Sequence, residues 1–369
     1  KDKIQEDIYQ IIEDINDITF KKVDIVALKN NIKKDDIRRI KASLIYIMNE
    51  VSNTYGHSYY FYEELIGYLP RVLSVIPEEE IVIKAIKDLE INLKIVVKEN
   101  RYYLKDMYDA ETLIVKRFRM LNHNKEQKNN KIEETISELE NLFGIKYNEE
   151  QKKAIMKSYT RDFLIITGGP GTGKTTIMQG ICELYRLMNK YSYEKLIDKI
   201  ALLAPTGRAA KRMNEATMLP ASTIHRFLKW SKDTNKFQVN EYNKSKVEFV
   251  ILDESSMIDP YLFSNLLKGL SSNCKIVIVG DDHQLPSVGP GQVLHDLIES
   301  KALEVVELTE LYRQGKDSNI INLAYDIRKQ TIEEDLFNEE EDLTFIKCRD
   351  EEVIDYITEI ATTYKDISY

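Results

Sequence analysis

Residues 163–176 read Phe-Leu-Ile-Ile-Thr-Gly-Gly-Pro-Gly-Thr-Gly-Lys-Thr-Thr, and no other stretch restricts the fold so tightly. The apolar start suits a strand buried on both faces, and the glycines follow without a break. Gly168 to Thr175 fit the pattern G-x-x-x-x-G-K-T between that strand and a helical segment. Glycines let the backbone wrap around phosphate oxygens and aim N–H groups at them, while the following helix presents its positive end. Gly168, Gly169, Pro170, Gly171, Thr172, Gly173, Lys174, Thr175 and Thr176 are therefore expected to hold a nucleoside triphosphate. In this reading Lys174 reaches the β and γ phosphates, and the Thr175 hydroxyl completes the shell of a magnesium ion.

A second string, Phe249-Val-Ile-Leu-Asp-Glu-Ser-Ser-Met257, is an apolar strand ending in two acids. Alone, such a pair can be a solvated strand end. Downstream of a phosphate loop, Asp253 is placed to hold magnesium and Glu254 to take a proton from attacking water. Apolar runs at 163–167, 200–204, 247–252, 275–279 and 303–308 alternate with helical segments. They predict an α/β fold, a parallel sheet with helices on both faces, which with the phosphate loop resembles a RecA-like P-loop NTPase.

Upstream, Ile4, Ile8, Ile11, Ile12 and Ile15 mark one apolar helix stripe, and further helices are expected over 35–48 and 59–69, the last interrupted by Pro70. Residues 93–97 and 102–104 flank a turn and read as a two-stranded ribbon. This is a mainly helical accessory region with a winged-helix-like ribbon, assigned to 1–125. The polar string LNHNKEQKNNK over 121–131 has little to bury and suggests a linker helix over 126–146, with the motor domain over 147–312.

Composition removes several classes. A net charge of −9 speaks against a bulk basic surface for nucleic acid, so any such contact must be a local groove. Cys182, Cys274 and Cys348 have neither disulfide nor zinc spacing and fit a reducing cytoplasm. No apolar run approaches a membrane span. The chain opens on Lys1, as a fragment would.

Other strings narrow the class. Ala204-Pro-Thr-Gly-Arg-Ala-Ala-Lys-Arg-Met213, Ala221-Ser-Thr-Ile-His-Arg-Phe227, Gly280-Asp-Asp-His-Gln-Leu-Pro-Ser-Val-Gly-Pro-Gly291 and Leu308-Thr-Glu-Leu-Tyr-Arg-Gln314 resemble the ordered motifs of superfamily 1 helicases. Their closest resemblance is to the RecD-like, 5′ to 3′ group. The resemblance implies ATP with Mg2+ as cofactors, and single-stranded DNA and duplex junctions as partners. It implies that Gln151 reads the adenine edge, that Gln284 senses the γ-phosphate and that Arg313 neutralises charge developing in phosphoryl transfer. Thr206, Gly207, Arg208, Thr223, His225 and Arg226 would line the single-strand track. Arg208, Lys211 and Arg212 can equally form a solvated helix face.

Between 227 and 246 the pattern predicts a hairpin whose Trp230 or Phe237 stacks on a base, or whose aromatics pack on each other. The resemblance also implies a helix-hairpin-helix near the start, but Asp17-Ile-Thr-Phe20 lacks the glycines with which such a hairpin grips phosphate. Residues 313–369 are expected to open a second, incomplete RecA-like domain. A non-motor nucleotide switch, and an RNA-directed or relaxase-linked helicase, are the rival readings.

Overall fold

The computed structural model describes residues 7–14, 18–121, 130–310, 319–331 and 342–363. The chain divides into two compact units, Lys1–Gly168 with Lys174–Leu308, and Gly169–Gly173 with Thr309–Tyr369.

In the first unit, strands β3 (Phe163–Gly168), β4 (Ile200–Ala204), β5 (Ala221–Thr223), β8 (Phe249–Leu252), β9 (Lys275–Gly280) and β10 (Val305–Leu308) form one sheet in the order β10-β3-β9-β8-β4-β5. Every pairing in it is parallel. Successive side chains of a strand leave by opposite faces, and the two cores divide accordingly. Leu164, Ile166, Phe249, Ile251, Val277 and Val279 enter one core, while Phe163, Ile165, Val250, Leu252, Ile276 and Ile278 enter the other. Helices cover both faces, as continuous apolar strands require. The helix Asn130–Phe143, expected as a linker, instead puts Ile132, Ile136 and Leu139 into the first core. Its apolar stripe outweighs the polar string before it. The three-residue edge strand β5 has no apolar run of its own, and the sequence pattern did not announce it.

The accessory region has a separate core. Its helices Phe20–Lys29, Ile37–Tyr55, Tyr62–Leu73 and Glu79–Ile91 pack beneath a ribbon of β1 (Ile95–Lys98) and β2 (Arg101–Leu104). The ribbon is antiparallel, with Ile95 opposite Leu104, and its turn residues Glu99 and Asn100 both have positive φ, 51° and 60°, as a two-residue hairpin turn needs. Pro70 does not end its helix, which runs on to Leu73. The buried stripe Leu65, Leu69 and Leu73 carries the helix through the lost backbone bond. Ile8, Ile11 and Ile12 lie on short helical turns, Ile8–Gln10 and Ile11–Asp14, rather than on one long helix. Ile4 and Ile15 lie outside the described residues.

The helix Lys105–Leu121 ties this region to the sheet. Ile114 and Phe118 enter the second sheet core, with the Phe118 ring 4.4 Å from that of Phe163. Arg117 Nη2 donates to Ser271 O at 2.5 Å. The second half of this helix therefore belongs to the motor core, although it falls within 1–125.

In the second unit, the helices Asn319–Lys329 and Val353–Thr363 are described. Val353–Thr363 buries none of its residues, and residues 344–349 form no regular structure. Among the described residues no helix is long and apolar enough to cross a membrane.

One charge pair dominates the accessory core. Arg39, 2% exposed, donates through Nε and Nη2 to the two oxygens of Asp24 at 2.7 and 2.8 Å, and through Nη2 to Leu73 O at 3.1 Å. Tyr9 Oη donates to the same carboxylate at 2.7 Å. Removing one partner strands a buried charge, so Arg39→Ala should cost about 3–5 kcal/mol in urea unfolding. Asp24→Ala/Arg39→Ala should cost less than the sum of the single changes. Strict additivity in that double-mutant cycle would show that the pair is not coupled.

Candidate functional site

The glycine loop leaves β3 at Gly168 and re-enters a helix, Lys174–Met188, without spare residues. Gly171 and Gly173 have φ of 79° and 81°, a region in which a Cβ meets the carbonyl oxygen, so these two positions require glycine. Within the loop, Thr172 Oγ1 donates to Gly169 O at 2.8 Å, fixing the bend. Lys174 Nζ reaches back to Gly168 O at 2.6 Å. Pro170, Gly171 and Thr175 are exposed, and Thr176 is half-buried.

The acids lie at the end of β8, which does not border β3. Strand β9 runs between them. Asp253 N donates to Leu203 O at 2.9 Å, and Asp253 Oδ1 accepts from Glu254 N at 2.9 Å. Burial, aided by the charge of Glu254, pushes the Asp253 carboxyl up to about 6 against the Glu254 N–H bond and the opposing charges of Lys174 and Arg212. Among the described residues Asp253 makes no ion pair. Glu254 sits at φ 52° and ψ 43°, a left-handed conformation for a residue with a Cβ. That backbone strain, of order 1–3 kcal/mol, ends the strand at Glu254 and is of a kind that clusters at functional positions.

The intervening strand supplies the third element. Beyond Gly280, the loop carries Gln284, whose Oε1 accepts from Ser256 Oγ at 3.4 Å. Ser255 Oγ donates to Val279 O at 2.7 Å, locking the ends of β8 and β9 together. Ser256 was not singled out from the sequence; its place two residues past Glu254 was the available signal.

Oxygen donors, a hydroxyl and a carboxylate, suit a hard divalent cation. No group of three metal-ligating side chains occurs among the described residues, which fits an ion held by one carboxylate, one hydroxyl and phosphate oxygens. Thr167 Oγ1, at the foot of the loop, is buried without a hydrogen-bond partner. The residues present therefore fit a magnesium nucleotide.

Gln151 is placed differently from a base reader. It is fully buried, and its Oε1 accepts from Asn148 N at 3.2 Å while its own N donates to Asn148 Oδ1 at 2.8 Å. This reciprocal cap starts the helix Glu149–Thr160. Arg313 lies outside the described residues.

The six track residues collect at one end of the sheet. Strands β4 and β5 pair with Ala204 opposite Thr223, so the segments that follow them emerge side by side. Thr206 Oγ1 accepts from Ala209 N and Thr223 Oγ1 from Arg226 N, each at 3.2 Å, capping the helices Gly207–Thr217 and Ile224–Phe227. Gly207, Arg208, His225 and Arg226 are exposed there. The hairpin is shorter than the stretch 227–246. β6 (Trp230–Ser231) pairs antiparallel with β7 (Lys236–Phe237), and Trp230 lies opposite Phe237. Their rings are 4.6 Å apart, His225 is 5.8 Å from Phe237, and Phe237 is buried in the second sheet core. The aromatics pack on each other.

Comparison with known proteins agrees with this geometry. The model of the family described as an AAA domain matches residues 151–290, and that of the ATP-dependent RecD2 DNA helicase HHH domain matches residues 1–59. The chain is 34% identical over 178 residues to the ATP-dependent RecD2 DNA helicase of Deinococcus radiodurans, covering 48% of this chain and 23% of that one. It is 34% identical over 203 residues to the RecBCD enzyme subunit RecD of Mycolicibacterium smegmatis, covering 49% and 36%. The Pif1 helicase of Candida albicans is similar at 20% identity and a TM-score of 0.42, over 60% of this chain and 56% of that one. The chain thus spans about a quarter to a third of the length of its curated relatives. The match to the RecD2 helicase domain over residues 1–59, the AAA-domain match over 151–290 and the identity with RecD and RecD2 relatives support a likeness to the RecD-like superfamily 1 helicases.

Proposed function

We propose that the chain binds ATP with magnesium and forms the first motor domain and accessory region of a 5′ to 3′ DNA helicase. One observation carries this reading: Asp253, a half-buried carboxylate with no ion pair among the described residues, ends β8 with a single strand between it and the strand that leads into the glycine loop and Lys174. Thr175 and Asp253 would hold the magnesium ion, which when bound neutralises charge on the phosphate oxygens. Lys174 binds the β and γ phosphates. Glu254 accepts a proton from the attacking water, and Gln284 orients toward the γ-phosphate. Arg313 is assigned to charge neutralisation by its motif alone. Gln151 Oε1 is taken up by its helix cap, so contact with an adenine edge through the amide nitrogen keeps the cap, and contact through the oxygen competes with it. Along the track, Arg208 and Arg226 bind phosphates of single-stranded DNA, with Thr206, Gly207, Thr223 and His225 shaping the path. The packing of Trp230 on Phe237 favours a rigid pin over a base-stacking platform.

Lys174→Ala should weaken binding of a fluorescent ATP analogue about ten- to a hundredfold, the worth of a charged hydrogen bond, and should abolish ATP hydrolysis stimulated by single-stranded DNA. Unchanged affinity and rate would reject the site.

Asp253→Asn separates stability from function. The carboxyl is harder to ionise in the folded chain than in the unfolded one, so its charge destabilises the fold fully above pH 6 and not at all below about pH 4. At pH 7.5 the variant should gain up to about 2–3 kcal/mol in urea unfolding, a gain that vanishes on acidification through that window, while magnesium-dependent nucleotide binding is lost. A variant less stable than wild type at neutral pH would contradict the buried-charge account.

Arg208→Ala should weaken single-stranded DNA binding and flatten the slope of log affinity against log salt by about 0.7, the share of one phosphate contact. An unaltered slope would return Arg208 to a solvated helix face.

A further inference from the structure

The loop from Asp281 to Gln292 is exposed at its tip, where Leu285 and Val288 are 85% and 90% accessible, yet its far end is fastened tightly. Gly291 N donates to Gly56 O at 3.0 Å. Gly56, at φ 76°, is the residue that closes the accessory helix Ile37–Tyr55, so this bond joins the accessory region to the loop bearing Gln284. Ser287 Oγ donates to Gly289 O at 2.8 Å and to Gly291 O at 3.2 Å, drawing the loop into a tight turn. There is no slack beneath it. A Cβ on Gly291, whose φ is 84°, would lie 2.7 Å from Pro260 Cγ, and one on Gly289 would lie 3.0 Å from Asp259 Cβ. Asp259 and Pro260 begin the helix Pro260–Gly269, which is anchored in the sheet core.

We infer that Ser287 and Gly291 are positioning residues for Gln284, and that through Gly56 they make the accessory region sense whether the nucleotide carries a terminal phosphate. The inference rests on the reading of Lys174 and Asp253 as a triphosphate site. A loop held by close packing moves as a unit, so a displacement of Gln284 toward a γ-phosphate is passed to Gly291 rather than absorbed. The bond it acts on is directional, and a small rotation of the Gly291 amide weakens it steeply. Gly56 sits between the long accessory helix and Tyr60, whose backbone pairs with Tyr102 of the ribbon, so release at Gly56 reaches both.

The Gly291 amide proton is itself the reporter. Its hydrogen exchange, and that of Gly56 to Tyr60, should differ severalfold between a non-hydrolysable triphosphate and the diphosphate in the wild-type chain, and should be equal in Gln284→Ala. Ser287→Ala should reduce the preference for triphosphate over diphosphate by about five- to tenfold, the worth of an ordinary hydrogen bond, with diphosphate affinity unchanged and the preference restored in Ser287→Thr. Gly291→Ala should remove the preference entirely. A purely structural role would lower both affinities together and would overturn the inference. So would a Gly291 amide that exchanges alike with either nucleotide while Lys174→Ala still weakens binding; wild-type binding in Lys174→Ala would instead overturn the site reading on which the inference stands.

Discussion

The sheet half is arranged around a half-buried carboxylate that no side chain neutralises among the described residues. The backbone of Asp253 is fixed by its bond to Leu203 and by the register of β8 against β4 and β9. Its ionisation is opposed by burial and by Glu254, and only partly favoured by Lys174 and Arg212. A bound divalent cation reverses that balance, because it makes the charged form the stable one. The fold thus holds a conflict in its own electrostatics that a metal nucleotide relieves. Strand order sets the scale of the site. With β9 between β3 and β8, these two strands stand two spacings, about 10 Å, apart.

Much of this was legible because the deciding residues lie on strands buried on both faces. Phe163 to Ile166 and Phe249 to Leu252 are apolar throughout, so the sequence marks them without ambiguity, and the chemistry-bearing residues follow at their ends. What escaped reading depended on contacts distant in sequence. The order of strands is not encoded in any one of them, and the placement of β8 two strands from β3 emerges only from the assembled sheet. The edge strand β5 is three half-buried residues and has no pattern to show. The helix Asn130–Phe143 looked like a continuation of a polar linker because its apolar residues are few, yet Ile132, Ile136 and Leu139 fall on one face and are almost wholly buried. Gln151 illustrates a different limit. Its motif implies a base contact, but the same side chain satisfies a helix cap, and a sequence cannot say which partner wins.

The accessory region is less independent than its separate core suggests. Its helices close around the Asp24–Arg39 pair, while the helix that follows the ribbon sinks Ile114 and Phe118 into the motor. One element is therefore shared between two cores, and rigid separation of the two regions would expose apolar surface on both. Gly56 adds a second attachment, at the loop of Gln284. Two attachments on different elements permit a tilt about the shared helix but resist free rotation.

The nucleotide site and the track residues are linked by equally short paths. Strand β4 lies between β8 and β5, so it borders the acid-bearing strand on one side and the strand of Thr223 on the other. Leu203 accepts the backbone bond of Asp253, and three residues later Thr206 caps the helix that carries Arg208 and Arg212. Arg208 and Arg212 are one turn apart on that helix, and the charge of Arg212 already bears on Asp253. A change in charge at the acids is therefore felt, through one strand and one helix turn, at Arg212 and Arg208. If the acids hydrolyse ATP and Arg208 grips a strand, as proposed, their coupling needs no long relay, because the sheet sets both groups at the ends of neighbouring strands.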